Sequence, residues 1–314
     1  MTPKVLLIGK NGQIGAELHR VLAPSSYLIA LDRRELDLSN IAAIRRTIRD
    51  CCPRVIVNAA AYTAVDQAEK EETAARAINA DAPAVMAEEA RKIGAALVHY
   101  STDYVFDGLK TDPYEEDDPP KPLNVYGKTK LEGEQAIRNS GALYLIFRTS
   151  WVYATHGKNF LLTVLRLAAE REELRIVCDQ NGAPTWSREI AAATARIVTE
   201  REGRKSSSSF EECSGIYHMT AAGQTTWYEF AKAILEEIAD MPQNAAWLAA
   251  ATRSRPVIAK QIHPIATEEY PTPARRPSYS VLSNRRLLQT FGIQLADWRA
   301  QLRSAVVDNQ HSGK

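Results

Sequence analysis

Lys4-Val5-Leu6-Leu7-Ile8-Gly9-Lys10-Asn11-Gly12-Gln13-Ile14-Gly15 decides the fold. Residues 4–8 read as a short buried strand, and Ile14, Leu18, Val21 and Leu22 form the apolar stripe of a helix just beyond it. Between them, glycines at every third position let the backbone turn tightly and approach a pyrophosphate. They also let helix pack on strand, with the helix N-terminus facing the phosphates. A ligand-free glycine turn can share this spacing, but here the motif sits in the strand–turn–helix context that dinucleotide binding needs.

The same alternation continues outward. A second strand, 27–31, ends at Asp32-Arg33-Arg34. An acidic residue at this distance from the glycines can take the adenosine ribose hydroxyls, whereas the arginines suit a 2′-phosphate, so NADH and NADPH both stay open. Asp37-Leu38 and a helix over 41–51 lead to a third strand, 55–57, which ends in Asn58-Ala59-Ala60-Ala61-Tyr62-Thr63. Small side chains there allow a flat cofactor to lie against the backbone, or simply make a tight turn. Residues 65–93 read as one helix with a break at Pro83, and 96–101 as a strand that delivers Ser101-Thr102-Asp103-Tyr104 to the same edge. A Pro-rich loop, 107–122, precedes a helix containing Tyr126, and 143–149 is a fifth strand. This repeated alternation demands an α/β fold, a Rossmann-type doubly wound parallel sheet with its ligand at the carboxyl strand ends.

Tyr126 and Lys130, in Asn124-Val125-Tyr126-Gly127-Lys128-Thr129-Lys130, are four positions apart on a helix and therefore share a face, about 6 Å apart along the axis. An ammonium beside a phenol favours the phenolate, which suits proton exchange with an oxygen on a carbon undergoing hydride transfer. The spacing alone is common on half-buried helix faces, and Thr102 alone reads as a turn residue.

With 45% apolar and 25% charged residues in 314, the composition is that of an ordinary globular chain large enough for one or two domains. Lys+Arg 39 against Asp+Glu 38 suggests no nucleic-acid surface. No apolar run reaches the roughly 18 residues that span a bilayer, and the first apolar run is too short for a signal peptide. Cys51, Cys52, Cys178 and Cys213 lack metal spacing and read as reduced thiols, so the expected location is the cytoplasm.

Taken together, the glycine turn, Asn58-Ala-Ala-Ala, Ser101-Thr-Asp-Tyr-Val-Phe106 and Asn124-Val-Tyr-Gly-Lys-Thr-Lys130 resemble the extended short-chain dehydrogenase/reductases. Arg148-Thr-Ser-Trp-Val-Tyr153, Asp179-Gln-Asn-Gly-Ala-Pro-Thr185 and Tyr270-Pro-Thr-Pro-Ala-Arg-Arg-Pro277 narrow the likeness to the dTDP-4-dehydrorhamnose reductases, over about residues 4–305. The resemblance implies reduction of a C4 ketone on a nucleotide-sugar by NADPH or NADH, with Tyr126 as general acid, Lys130 as its partner and ribose contact, and Thr102 on the reacting oxygen. It implies that Gly9, Asn11, Gly12, Gln13, Ile14, Gly15, Asp32, Arg33, Asp37, Leu38, Ala60, Ala61, Tyr62 and Thr63 hold the dinucleotide. Asp103, Trp151 and Arg276 are then the substrate contacts. Related dehydratases carry Thr-Asp-Glu where this chain has Thr102-Asp103-Tyr104, which argues against water elimination, and a 4-epimerase would more often show a serine-rich turn there. Two alternatives stay open: a non-catalytic NADP-binding regulatory subunit, and a reductase of another 4-keto nucleotide-sugar. Some members of the family bridge two subunits with Mg²⁺ held by three glutamates. Only Glu17 matches here, with Arg188 and Arg299 at the other positions and Glu189 adjacent, so no metal and a monomer or weak homodimer are expected.

Further along, helices are expected over 157–170, 186–199 and 227–239, with strands at 174–177 and 216–218. Residues 202–213, with Ser206-Ser-Ser-Ser209, read as a flexible surface loop. The expected division is a dinucleotide-binding domain over 1–150 with parts of 171–240. A smaller C-terminal α/β substrate domain then covers 151–170 and 241–307, with a tail at 308–314. Pro271, Pro273 and Pro277 would stiffen a loop presenting Arg275 and Arg276 to a diphosphate, although two solvated arginines would look the same in sequence. The histidines show no ligand spacing.

Overall fold

The strands of the central sheet are short and apolar because most are covered on both faces. Val55–Asn58 and Ala96–Thr102 are buried throughout, and Lys4–Ile8 at all but its first residue. The structure, a computed structural model, describes residues 4–202, 208–239, 241 and 245–308. In chain order the first part runs β1 (Lys4–Ile8), α1 (Gln13–Leu22), β2 (Tyr27–Leu31), α2 (Ile41–Cys51), β3 (Val55–Asn58), α3 (Val65–Ala68), α4 (Glu72–Arg76), α5 (Ala82–Ile93), β4 (Ala96–Thr102), α6 (Val125–Asn139) and β5 (Leu143–Thr149). The second part runs β6 (Val152–Tyr153), α7 (Phe160–Glu170), β7 (Glu173–Val177), β8 (Asn181–Gly182), β9 (Thr185–Trp186), α8 (Ser187–Glu202), α9 (Ser208–Glu211) and β10 (Gly215–His218). It finishes with β11 (Thr225–Thr226), α10 (Trp227–Ile238), α11 (Ala246–Thr252), β12 (Gln261–Ile265), α12 (Arg285–Phe291) and α13 (Trp298–Asp308).

Six parallel strands lie in the order β10-β5-β4-β3-β1-β2. The winding therefore reverses between β1 and β3, and the crevice at their carboxyl ends is where a doubly wound sheet takes its ligand. Alternate strand residues feed two cores. Leu7, Val57, Val98 and Phe147 pack with Leu18 of α1 and Ile190 of α8, whereas Leu6, Ile56, Leu97 and Ile146 pack with Ile44 of α2, Met86 of α5 and Ile137 of α6. A third core joins Leu161 and Leu165 of α7, Phe230 and Ile234 of α10, Trp247 of α11 and Leu302 of α13.

The expected long helix over 65–93 is instead four pieces. The break falls between α3 and α4, and residues Ala77–Asp81 form a π-helical turn. Pro83 closely follows that turn, in a run that is helical from Glu72 to Ile93, so its missing amide deprives a carbonyl one turn back of a partner. The missing amide leaves the Asn79 carbonyl open to the close approach of Gly133 in α6, where any Cβ would collide with it.

β7 does not join the central sheet but pairs in parallel with β12. Residues 202–213 are not simply a surface loop. Ser208–Glu211 is helical, and Phe210 and Cys213 are buried in the first core, although 203–207 lie outside the described residues. Asp308 ends α13 and so belongs to a helix, while 309–314 lie outside the described residues.

Candidate active site

Gly9 ends β1 with φ +91°, a left-handed conformation that costs a glycine nothing. A Cβ on it would stand 2.8 Å from the Ala60 nitrogen, and one on Gly15 would collide with the Gly9 carbonyl. Glycine is thus required at both places by backbone-to-backbone approach. Gly12 caps α1 without a side-chain partner, and the first turn carries no acid, so the positive end of this helix opens on the crevice. Beside it, Asp32 accepts from Asn11 Nδ2 at 2.9 Å and from the Arg34 and Glu35 amides at 2.8 and 3.2 Å. Those bonds, led by the Arg34 amide, hold its carboxyl below the usual range. Asn79 pins the next turn by accepting from the Tyr62 amide at 2.8 Å and donating to the Tyr62 carbonyl at 3.1 Å.

Helix α6 carries the proton chemistry. Asn124 caps it, accepting from the Gly127 amide at 2.8 Å, and Glu69 accepts from the Val125 amide at 2.8 Å. Gly127 lies against the Tyr104 carbonyl, so α6 can come close enough to place Tyr126 beside Thr102. Burial pushes the Tyr126 phenol up to about 12, with the Thr102 hydroxyl pulling the other way and the Asp103 carboxyl adding to the rise. Thr102 Oγ1 accepts from the Tyr104 amide at 3.2 Å and donates to Asp103 Oδ1 at 3.0 Å, while Ser150 Oγ donates to Asp103 Oδ2 at 2.9 Å. Buried there, Asp103 is pushed up to about 6.

The structure gives Lys130 partners other than the phenol. Lys130 Nζ donates to the Tyr100 carbonyl at 2.6 Å and lies 3.0 Å from His99 Nε2. Burial takes Lys130 down to about 8, against the opposing pull of Glu134. The reason is dielectric. Enclosure disfavours charge on both groups, lowering the lysine and raising the phenol.

On the other wall, Trp151 adopts φ +46°, an unusual backbone for a bulky side chain, and its indole lies flat on that of Trp227 with centroids 3.4 Å apart and planes 6° from parallel. Gly182 makes room beneath the Trp151 ring. Asp66 holds Arg276, and Asn124 Nδ2 donates to the Arg275 carbonyl at 2.8 Å, tying the proline loop to α6. Arg276 faces the cleft, whereas Arg275 is exposed.

One cleft of about 1620 Å³ gathers every residue singled out from the sequence for catalysis, dinucleotide or substrate except Gly15, whose place is behind the turn, and the exposed Arg275. It also contains Phe160, from the helix the sequence placed toward the substrate, and Lys158 and Trp227, which sequence reasoning missed. Nothing local marks the last two, since each reads as an ordinary residue at the start of an amphipathic helix.

Residues 3–311 match the model of the RmlD substrate binding domain family. The chain belongs to this family. It is 49% identical over 296 residues to a dTDP-4-dehydrorhamnose reductase of Burkholderia thailandensis, covering 94% of this chain and 95% of that one. An Escherichia coli protein of the same name is 44% identical over 299 residues, with 94% of each chain covered. The crystal structure of a dTDP-4-dehydrorhamnose reductase from Bacillus anthracis in complex with NADP superposes with TM-score 0.85 at 33% identity, covering 98% of this chain and all of that one.

In this member of the RmlD substrate binding domain family, Glu17 is already occupied by cations. It accepts from Arg20 Nε at 3.0 Å and from Arg188 Nε at 3.2 Å, while Arg299 pairs with Glu236 and Glu237 of α10. Guanidinium groups at these places supply charge of the wrong sign for a cation. Among the described residues no group of three His, Cys, Asp or Glu could hold a metal ion, and no helix is long and apolar enough to cross a membrane.

Proposed function

We propose that this chain reduces the C4 ketone of dTDP-4-dehydro-L-rhamnose to the alcohol of dTDP-L-rhamnose, the last step in making that nucleotide-sugar. The observation that carries the reading is the meeting of Thr102, Tyr126 and Lys130 at the carboxyl edge of the sheet, in the same cleft as the open N-terminus of α1. The cleft fits a nicotinamide dinucleotide, because the glycine turn allows backbone approach and the uncapped helix end offers amides to a diphosphate. NADPH or NADH, when bound, supplies the hydride.

Gly9, Asn11, Gly12, Gln13 and Ile14 take the diphosphate side, with Gly15 behind them. Asp32, Arg33, Asp37 and Leu38 take the adenosine side, and Ala60, Ala61, Tyr62 and Thr63 the flank of the crevice. Asp32 is tied into its own turn, and Arg33 and Arg34 line the cleft beside it, where a 2′-phosphate would lie. As the planar ketone becomes an alkoxide, Tyr126 gives its proton to that oxygen, and Thr102 turns its one hydroxyl proton from Asp103 Oδ1 to the same oxygen. A phenol that stays protonated well above neutrality is suited to that task. Lys130 contacts the ribose and shares the helix face of the phenol. Asp103, the Trp151 indole and Arg276 line the nucleotide-sugar side. The protein works as a cytoplasmic monomer or weak homodimer without a bridging metal.

Purified protein is assayed for oxidation of NADPH, and separately NADH, with dTDP-4-dehydro-L-rhamnose formed in place by the upstream enzymes, and the product is identified. Rapid substrate-dependent oxidation yielding dTDP-L-rhamnose is expected. Tight NADPH binding without turnover would point to a regulatory NADP-binding role or another keto-sugar.

A further inference from the structure

Asn58, His99 and Lys130 form a fully buried row across β3, β4 and α6. The orientation of the first is fixed by backbone. Asn58 Oδ1 accepts from the Ala60 amide at 3.2 Å, and a main-chain N–H cannot exchange roles, so Asn58 Nδ2 faces His99 Nδ1, 3.1 Å away. His99 Nδ1 must then accept. Burial, and the neighbouring Lys130, hold the imidazole neutral, so its one proton sits on Nε2 and points at Lys130 Nζ. Two donors cannot face each other at 3.0 Å without cost, so this arrangement suits Lys130 as the amine, its lone pair turned to His99 and one N–H on the Tyr100 carbonyl.

We propose that Asn58 and His99 are positioning residues forming a tautomer switch that couples the charge on Lys130 to the Ala60 turn. With Lys130 as the amine, His99 donates from Nε2 and Asn58 stays latched on Ala60. When Lys130 takes a proton from solvent, Nε2 must accept, the imidazole proton moves to Nδ1, and the Asn58 amide turns its oxygen to that N–H. The Ala60 amide is released by the same rotation. Since Ala60 lines the cleft, charging Lys130 beside the phenol and freeing a donor in the wall opposite become one event. Other charges around the row come from Glu134 on α6, which is paired with Arg148 of β5, and from Asp103 and Tyr126 on the cleft side, while β3 contributes the uncharged Asn58. The consequence for proton transfer rests on the reductase reading, but the switch itself is measured without substrate.

Full-length protein with ¹⁵N-labelled histidine is followed from about pH 6 to about pH 10 by two-bond ¹H–¹⁵N spectra, which tell a protonated ring nitrogen from a bare one. His99→Gln assigns the signals among the 6 histidines. At the alkaline end the proton is expected on Nε2, moving to Nδ1 as pH falls through the Lys130 titration, with no imidazolium. In Asn58→Asp, a carboxylate can accept from both Ala60 and Nδ1, so the proton is expected on Nδ1 throughout, with the Lys130 inflection of the kcat/KM profile moved to higher pH. A wild-type imidazole protonated on Nδ1 at every pH, or one that becomes an imidazolium in this range, overturns the switch. Loss of turnover with the expected tautomers would instead count against the reductase reading alone.

Discussion

Asp66 grips Arg276 side-on across 210 positions of sequence, Nη1 to Oδ1 at 3.1 Å and Nη2 to Oδ2 at 2.7 Å. The same carboxylate accepts from the Ala274 amide at 3.2 Å, and Arg276 Nη1 also donates to the Ala274 carbonyl at 2.9 Å. Arg276 is therefore less a loose cation than the bolt that holds the proline loop beside the cofactor turn, with its carboxylate partner kept ionised below the usual range by the guanidinium.

Asp66→Ala is expected to unfasten that loop and raise KM for the nucleotide-sugar roughly 5- to 30-fold, the scale of a charge-assisted pair worth about 1–2 kcal/mol, with kcat changed little. Steady-state kinetics on Asp66→Ala, Arg276→Ala and the double variant check this. Effects that simply add would show that the pair does not act as a unit.

Tyr126→Phe keeps the ring packing against Tyr104 and removes the proton donor. Turnover should fall about 10²–10⁴-fold with NADPH affinity nearly intact, measured by single-turnover oxidation and calorimetric titration. Near-normal turnover in this variant takes Tyr126 out of the mechanism.

Stability should carry the mark of Lys130. Its folded-state value lies near 8 against 10.5 when free, so between those pH values the unfolded chain holds a proton that the folded chain has shed. Stability attributable to this group therefore rises with pH from 8 to 10.5, by at most roughly 3 kcal/mol at about 1.4 kcal/mol per unit. Urea unfolding of wild type and Lys130→Met across this window should show the rise in wild type and not in the variant. Parallel curves would mean that the lysine is not depressed.

Chelator should leave both mass and activity unchanged, because Arg20 and Arg188 already neutralise Glu17. Light scattering and NADPH oxidation before and after EDTA test this. A dimer that EDTA dissolves would overturn it.

Trp227→Ala strips one plate from the indole stack. The expected result is a several-fold rise in KM for the nucleotide-sugar, in line with about 0.5–1.5 kcal/mol for an aromatic pair, and loss of the coupled near-ultraviolet circular dichroism of two parallel indoles. An unchanged dichroism spectrum would mean that the rings do not stack in solution.

Much of the architecture is legible locally. The alternation of 4–8, 27–31, 55–57, 96–101 and 143–149 with helices could only build a parallel sheet, and the carboxyl ends of those strands carry the glycine turn, the Asn58 turn and Thr102. A disturbance near Pro83 was legible, and the π turn over Ala77–Asp81 abuts it, whereas the interruption at 69–71 has no proline or glycine to mark it. The partner of β7 was hidden too, as no pattern in 173–177 names 261–265.

By itself the sequence determined the fold, the crevice and most of the side chains that reach it, since strand period, glycine spacing and helical spacing are short-range properties of the chain. Only the tertiary structure decided what those side chains are. It set Lys130 against His99 rather than Tyr126, kept the phenol protonated, and bound Arg276 to Asp66. Charge state and hydrogen-bond partner depend on burial and on neighbours brought from far along the chain, and a local pattern contains neither.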